Sequence, residues 1–247
     1  MTRLDKNLKP IVGVSACLVG ENVRYDGGHK LQPLISDCLA PFVTLSPVCP
    51  EVRAGLGVPR PTIQLQKKTT GIRAIINAKT SATRDVSDEL TKVAVQYLNE
   101  NRERPLCGFI FKSRSPSCGL GSTPVITHKK NFTNGLFADY FCQQFESLPM
   151  VEESWLFNEE RHFRFLSACY LFFSHNYGGE IDSDLLQCID PALRSDDTKT
   201  YKQMVATLLS GNLLAENFLA ENKSSNLNEQ AALEERLVDY WRARKCK

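Results

Sequence analysis

The sequence predicts an α/β fold: a mainly parallel sheet flanked by helices, with a helical region at the C-terminal end. Three observations carry this. Short, continuously apolar segments rich in β-branched residues recur, as expected of strands covered on both faces. Between them apolar residues return at helical spacing, so strand and helix alternate, the pattern of parallel βαβ units. From Asn158 onward the periodicity is wholly helical.

The first strand is IVGVSA, Ile11 to Ala16, and it stops at Cys17. A polar loop with glycines follows, GENVRYDGGHK, and then Leu31, Leu34, Ile35, Cys38 and Leu39 fall at helical intervals. FVTLSPV forms the next strand and ends at Cys49, where PEVRAGLGVPRP has too many glycines and prolines for regular structure. Within Lys67 to Asn77 a turn at TTG leads to a short strand, RAII, and Asp85 is placed to cap the helix after it. Val86, Leu90, Val93, Ala94, Tyr97 and Leu98 share one face of that helix. CGFIFK is a further buried strand and runs into SRSPSCGLGS, a third loop holding a cysteine. A helix after Gly135 aligns Leu136, Phe137, Tyr140, Phe141 and Phe145. The tail supplies helices around Phe163 to Phe173, Tyr201 to Leu219 and Leu233 to Trp241. The expected organisation is a Rossmann-like domain over residues 1–165 and a helical domain over 166–247.

With 247 residues, 42% hydrophobic and 23% charged, the chain has ample material for a core, which excludes disordered and fibrous classes. The apolar run before Gly20 is too short to span a bilayer and lacks a small-residue cleavage site, so a cytoplasmic location without membrane association is expected. In a reducing compartment nine cysteines call for a ligand, catalytic or packing explanation rather than disulfides. Residues 1–155 carry 19 Lys and Arg against 14 Asp and Glu, whereas the remainder carries 11 against 14. Any positive field therefore belongs to the first part.

In a parallel sheet the loops after the strand C-termini lie along one edge, where ligands bind. Cys17, Cys49 and Cys118 each occupy such a loop, so the topology brings together thiols far apart in sequence. Cys38, Cys142 and Cys169 lie on apolar helix faces and read as packing. Cys107, Cys188 and Cys246 have no motif context, and His128, His162 and His175 have no ligand spacing. AGLG, Ala54 to Gly57, is not a phosphate loop because no Lys-Ser/Thr follows.

Five motifs stand out: VSACLVGENVRYDGGHK at 14–30, PVCPEVRAGLGVPRP at 47–61, TRD at 83–85, KSRSPSCG at 112–119, and GLFADYF with LPMVEE at 135–153. In order and content they resemble the thiouracil and thiouridine desulfidase family, formerly a domain of unknown function. The resemblance implies a 4Fe-4S cluster ligated by Cys17, Cys49 and Cys118, with one iron left free of protein ligands. Soft thiolates suit such a cluster, and structural forms usually take a fourth cysteine. It further implies hydrolytic, non-redox removal of sulfur from 2-thiouracil, 4-thiouracil or a thiouridine, with the open iron acting as Lewis acid toward the thiocarbonyl.

This chemistry needs a group that activates water and one that protonates the ring. Glu51, beside a cluster cysteine, is the first acid/base candidate and Asp26 the second, while the hydroxyls of Ser115 and Ser117 can hold substrate or water. Arg24, Arg60 and Arg114 are candidates to balance cluster charge or bind substrate. The bland readings stand beside these: Glu51 as an ion-pair partner of Arg53 or Arg60, Asp26 as a turn residue with Gly27 and Gly28, and the serines as loop caps. Longer family members carry a helical domain and act on thiolated tRNA. The tail here is short and slightly acidic, which favours the free base as substrate over 4-thiouridine in tRNA. The competing classes are a non-catalytic iron-sulfur or zinc module closed by a fourth ligand such as Cys107, and a thiol enzyme with Cys118 as nucleophile.

Overall fold

A computed structural model describes residues 9–76, 83–127, 131–178 and 227–245, with Asp184, Leu185, Cys188, Val205, Leu208 and Leu209. The expected helix from Tyr201 to Leu219 lies mostly outside the described residues, as do His128, Lys129, Lys130 and Cys246. Strands β1 (Ile11–Ser15), β2 (Thr44–Val48), β6 (Leu106–Phe111) and β9 (Met150–Glu152) form one sheet in the order β2-β1-β6-β9. Every pairing in it is parallel, and β1 and β6 are buried along their whole length, which is why they read as unbroken apolar runs.

The alternation of side chains across β6 decides what covers each face. Phe109 and Phe111 stack at 4.1 Å and meet Phe137 and Phe141 of α3 (Leu136–Gln144), while Phe109 also meets Tyr97 of α2 (Ser87–Glu100). On the other face Gly108 admits α4 (Glu159–Tyr177), where an added Cβ would sit 2.5 Å from Cys169 Sγ. The space left by Gly13 on β1 is filled by the Phe109 ring, 2.3 Å from where a Cβ would stand. The Tyr97 hydroxyl donates to the Ser46 carbonyl at 2.8 Å, joining α2 to β2.

A second sheet, of which the sequence expectation held only the strand RAII, has the order β5-β4-β3-β7-β8. Its hairpin pairs β3 (Ile63–Lys68) with β4 (Gly71–Ile76), and β5 (Arg84–Asp85), β7 (Thr123–Ile126) and β8 (Asn131–Thr133) complete it. Ile63, Leu65, Ala74, Ile76 and Val125 make its small core beneath Val86 and Leu90. Asp85 accepts from the Ser87 amide and hydroxyl at 3.0 and 2.6 Å, on the residue before the cap of α2.

The helical spacing from Leu31 resolves into a single π-type turn, Ile35–Leu39. The segment before it is tied to the Cys17 turn instead: Lys30 donates to the Cys17 carbonyl at 2.8 Å and Gln32 to the Leu18 carbonyl at 2.9 Å. Helix α4 opens at Asn158, whose side chain accepts from the Arg161 amide at 3.0 Å, a cap worth about 1 kcal/mol. It passes straight through position 165, packs on β6, and meets α5 (Leu227–Lys245), where Trp241 donates to Ser167 at 3.0 Å. No helix among the described residues is long and apolar enough to cross a membrane.

Candidate active site

The ends of β1, β2 and β6 open onto one cavity of about 520 Å³. β1 runs into a 3₁₀ turn, Ala16–Val19, that presents Cys17, and Gly20 closes it in the left-handed region at φ 94°. β2 ends at Val48, so Cys49 is the residue before the short helix α1 (Pro50–Arg53), with proline at its first position. β6 delivers the loop of Cys118. That loop is held by the start of α3, whose first amides would otherwise lack partners: Leu136 donates to the Pro116 carbonyl at 3.1 Å and Phe137 to Ser117 at 3.0 Å. Gly135 is needed for this approach, because a Cβ there would stand 2.4 Å from the Ser117 carbonyl carbon.

All three cysteines line this cavity. Burial pushes the Cys17 thiol up to about 11, and proximity to Cys49 adds to it, while Lys112 and Arg24 oppose. The Cys118 thiol is raised well above the ordinary range, first by burial, then against a Ser15 hydrogen bond by Cys49 and Cys17. Burial likewise raises Cys49. The thiols thus stand within one another's field, and a shared cation is what relieves three neighbouring thiolates.

Among the described residues no group of three His, Cys, Asp or Glu is set to chelate a single metal ion. A cluster makes a different demand, since each thiolate meets a different iron. An all-sulfur donor set of three, facing a roomy cavity, fits an iron-sulfur cluster by chemistry and size.

Glu51 also lines the cavity, and both its oxygens are engaged. Arg60 Nε donates to Oε2 at 2.7 Å and the Ser117 hydroxyl donates to Oε1 at 2.9 Å. Arg53 instead pairs with Glu100. Ser117 is wholly buried, whereas Ser115 reaches the cavity and its hydroxyl accepts from the Ser117 and Cys118 amides at 3.3 and 3.1 Å. Arg24, Arg60 and Arg114 line the wall, and Arg114 carries a left-handed φ of 58°. Asp26 lies outside the lining: it accepts from Arg24 and from the Gly28 amide, closing its own turn, and the Arg24 bond holds its carboxyl below the usual range. His29 accepts from the Leu31 amide instead of facing the site.

Sequence reasoning gave no role to Ser15, Tyr25, Lys30 or Lys112, which also line the cavity. Lys112 pairs with Glu153, which further accepts from the Ser113 amide and hydroxyl at 2.5 and 2.7 Å. Lys112 and Glu153 stood inside quoted motifs, and only the pairing of β6 with β9 brings them together.

A sheet edge that gathers three thiols, two buried and one half-buried, beside a tethered carboxylate has the make-up of an enzyme site open to a small ligand. The chain belongs to the 2-thiouracil desulfurase family, whose model matches residues 12–153, and it is an enzyme of desulfurase type. A solved structure described as the 4Fe-4S-dependent thiouracil desulfidase TudS is similar at 24% identity, over 60% of this chain and 93% of that one, with a TM-score of 0.46. No curated protein matches the chain.

Proposed function

We propose that the chain removes sulfur from a thiolated pyrimidine, 2-thiouracil, 4-thiouracil or the corresponding uridine, giving the oxo base and sulfide without net redox change. The observation that carries this is the meeting of Cys17, Cys49, Cys118 and Glu51 on one cavity wall. The three thiolates would hold a 4Fe-4S cluster, which when bound would supply Lewis acidity toward a thiocarbonyl.

The remaining work falls to the chain's own side chains. Glu51 accepts the proton of the attacking water; its oxygens each accept one hydrogen bond and keep lone pairs for that proton. An oxygen–carbon bond forms, Glu51 passes its proton to the sulfur, the carbon–sulfur bond breaks to release hydrosulfide, and the added hydroxyl gives its own proton to solvent as it becomes the carbonyl. Ser115 and Arg114 on the wall orient the ring, and Lys112, fixed by Glu153, keeps a positive charge at the Cys17 side. The free base is the preferred substrate, and the location is cytoplasmic. The two-part division at residue 165 is kept as an organisational proposal, with α4 as the element shared by both parts.

The test is anaerobic reconstitution, followed by incubation with 2-thiouracil, 4-thiouracil, 4-thiouridine and thiolated tRNA while thione absorbance and released sulfide are followed. Loss of thione matched by sulfide is expected for a free base, and inertness of an iron-loaded protein toward all four rejects the reading. Cys17→Ala, Cys49→Ala and Cys118→Ala should each fail to retain iron, whereas Cys169→Ala, at the α4 packing face, should load normally.

A further inference from the structure

Arg60 is the most heavily committed side chain of the cavity wall. Its side chain is only 3% exposed. Nε donates to Glu51 Oε2 at 2.7 Å, Nη1 to the Gly57 carbonyl at 2.8 Å and Nη2 to the Val23 carbonyl at 2.9 Å. The same Nη2 lies 3.9 Å from Cys49 Sγ, and the Cys49 thiol points at the same Val23 carbonyl at 3.6 Å. A guanidinium bonded in this way has little left for substrate. Its planar fork reaches two groups of the site through separate nitrogens, which the single nitrogen of a lysine cannot reproduce.

The exchange at Cys49 is specific. As a thiol, Cys49 donates to Val23. As a thiolate it can only accept, and Arg60 Nη2 is the side-chain donor beside it, alongside the Val52 and Glu51 amides. One cation thereby serves the sulfur that anchors metal and the carboxylate that handles water.

We propose that Arg60 is a positioning residue that couples Cys49 to Glu51, fixing the carboxylate relative to the cluster and donating a hydrogen bond to its Cys49 sulfur. This rests on the function proposed above, but it is read in part without a cluster. Donors to cluster sulfur raise the reduction potential, so their loss lowers it.

In reconstituted protein, Arg60→Lys should lower the midpoint potential and alter the visible circular dichroism of the cluster. It should also cut kcat about 10–100-fold, the usual cost of losing a partner behind a metal ligand, with KM little changed. Ser117→Ala removes only the other tether of Glu51, so it should lower kcat and leave potential and dichroism as in the parent. In cluster-free protein, where Cys49 is a thiol turned to Val23, urea unfolding of Arg60→Lys combined with Glu51→Gln should be non-additive. An additive cycle overturns the proposal whatever the enzyme's activity. A KM effect with an unmoved potential overturns it too, since that marks Arg60 as a substrate contact. Failure of both Arg60→Lys and Arg60→Gln to fold also overturns it, by making the residue a structural one. A parent protein that binds no iron or turns nothing over refutes the proposed function instead, and the urea cycle still decides the coupling of Arg60 to Glu51.

Discussion

Ser117→Ala isolates one bond inside the fold. Ser117 is 0% exposed and its hydroxyl has one partner that carries charge, Glu51 Oε1 at 2.9 Å. Alanine keeps the Cβ and leaves the amide and carbonyl contacts of the Cys118 loop to α3 in place. What is lost is a single hydrogen bond to a carboxylate, worth about 1.5–3 kcal/mol. The carboxylate is 13% exposed, so water recovers part of this and the lower half of that range is expected. Urea unfolding of cluster-free protein, followed by far-ultraviolet circular dichroism, measures it. The midpoint should fall while the slope is unchanged, because the surface exposed on unfolding is the same. A loss below about 0.5 kcal/mol, the ordinary scatter of surface changes, would refute the idea that Ser117 bears on Glu51.

Gly13→Ala places a Cβ 2.3 Å from Phe109 Cδ2 in the centre of the aromatic cluster, and overpacking should cost about 1–3 kcal/mol in a thermal melt. His162 is buried, with Nδ1 on the Asn158 carbonyl at 2.7 Å and Nε2 without a partner among the described residues. Burial lowers its pKa from 6.5, so the folded state binds fewer protons than the unfolded chain. The His162 contribution is complete above pH 6.5 and is lost as pH falls through the lowered value, and His162→Leu should flatten that slope in pH-dependent unfolding. Glu153→Gln weakens the hold on Lys112 and Ser113, and steady-state desulfuration should fall about 10–100-fold with iron content retained.

The parallel sheet was legible because its two central strands are buried on both faces and so carry unbroken apolar runs, IVGVS and LCGFIF. Convergence of the cysteine loops followed from that topology. Of the second sheet only RAII, within β4, was legible: β5, β7 and β8 have too few residues for periodicity to register, and only Ile63 and Leu65 mark β3. Glu51 was visible as a carboxylate beside a cysteine. The choice of Arg60 over Arg53 as its partner was not, because it depends on a loop reversal at Gly55 and Gly57, with φ of 78° and 72°. Ser117 and Ser115 are neighbours in the same SPS motif, yet one is sealed behind Glu51 and the other faces the cavity, a difference set by α3 docking from far along the chain.

On the proposed function, thiolates drawn from three separate strand ends make the cluster they would share a brace across the sheet. Joining positions 17, 49 and 118 closes two long stretches of polypeptide, and such closure takes freedom from the unfolded chain. Damage to the inorganic centre would then be felt as slackening of the edge that built it, and the protein's resistance to heat would report whether that centre is intact.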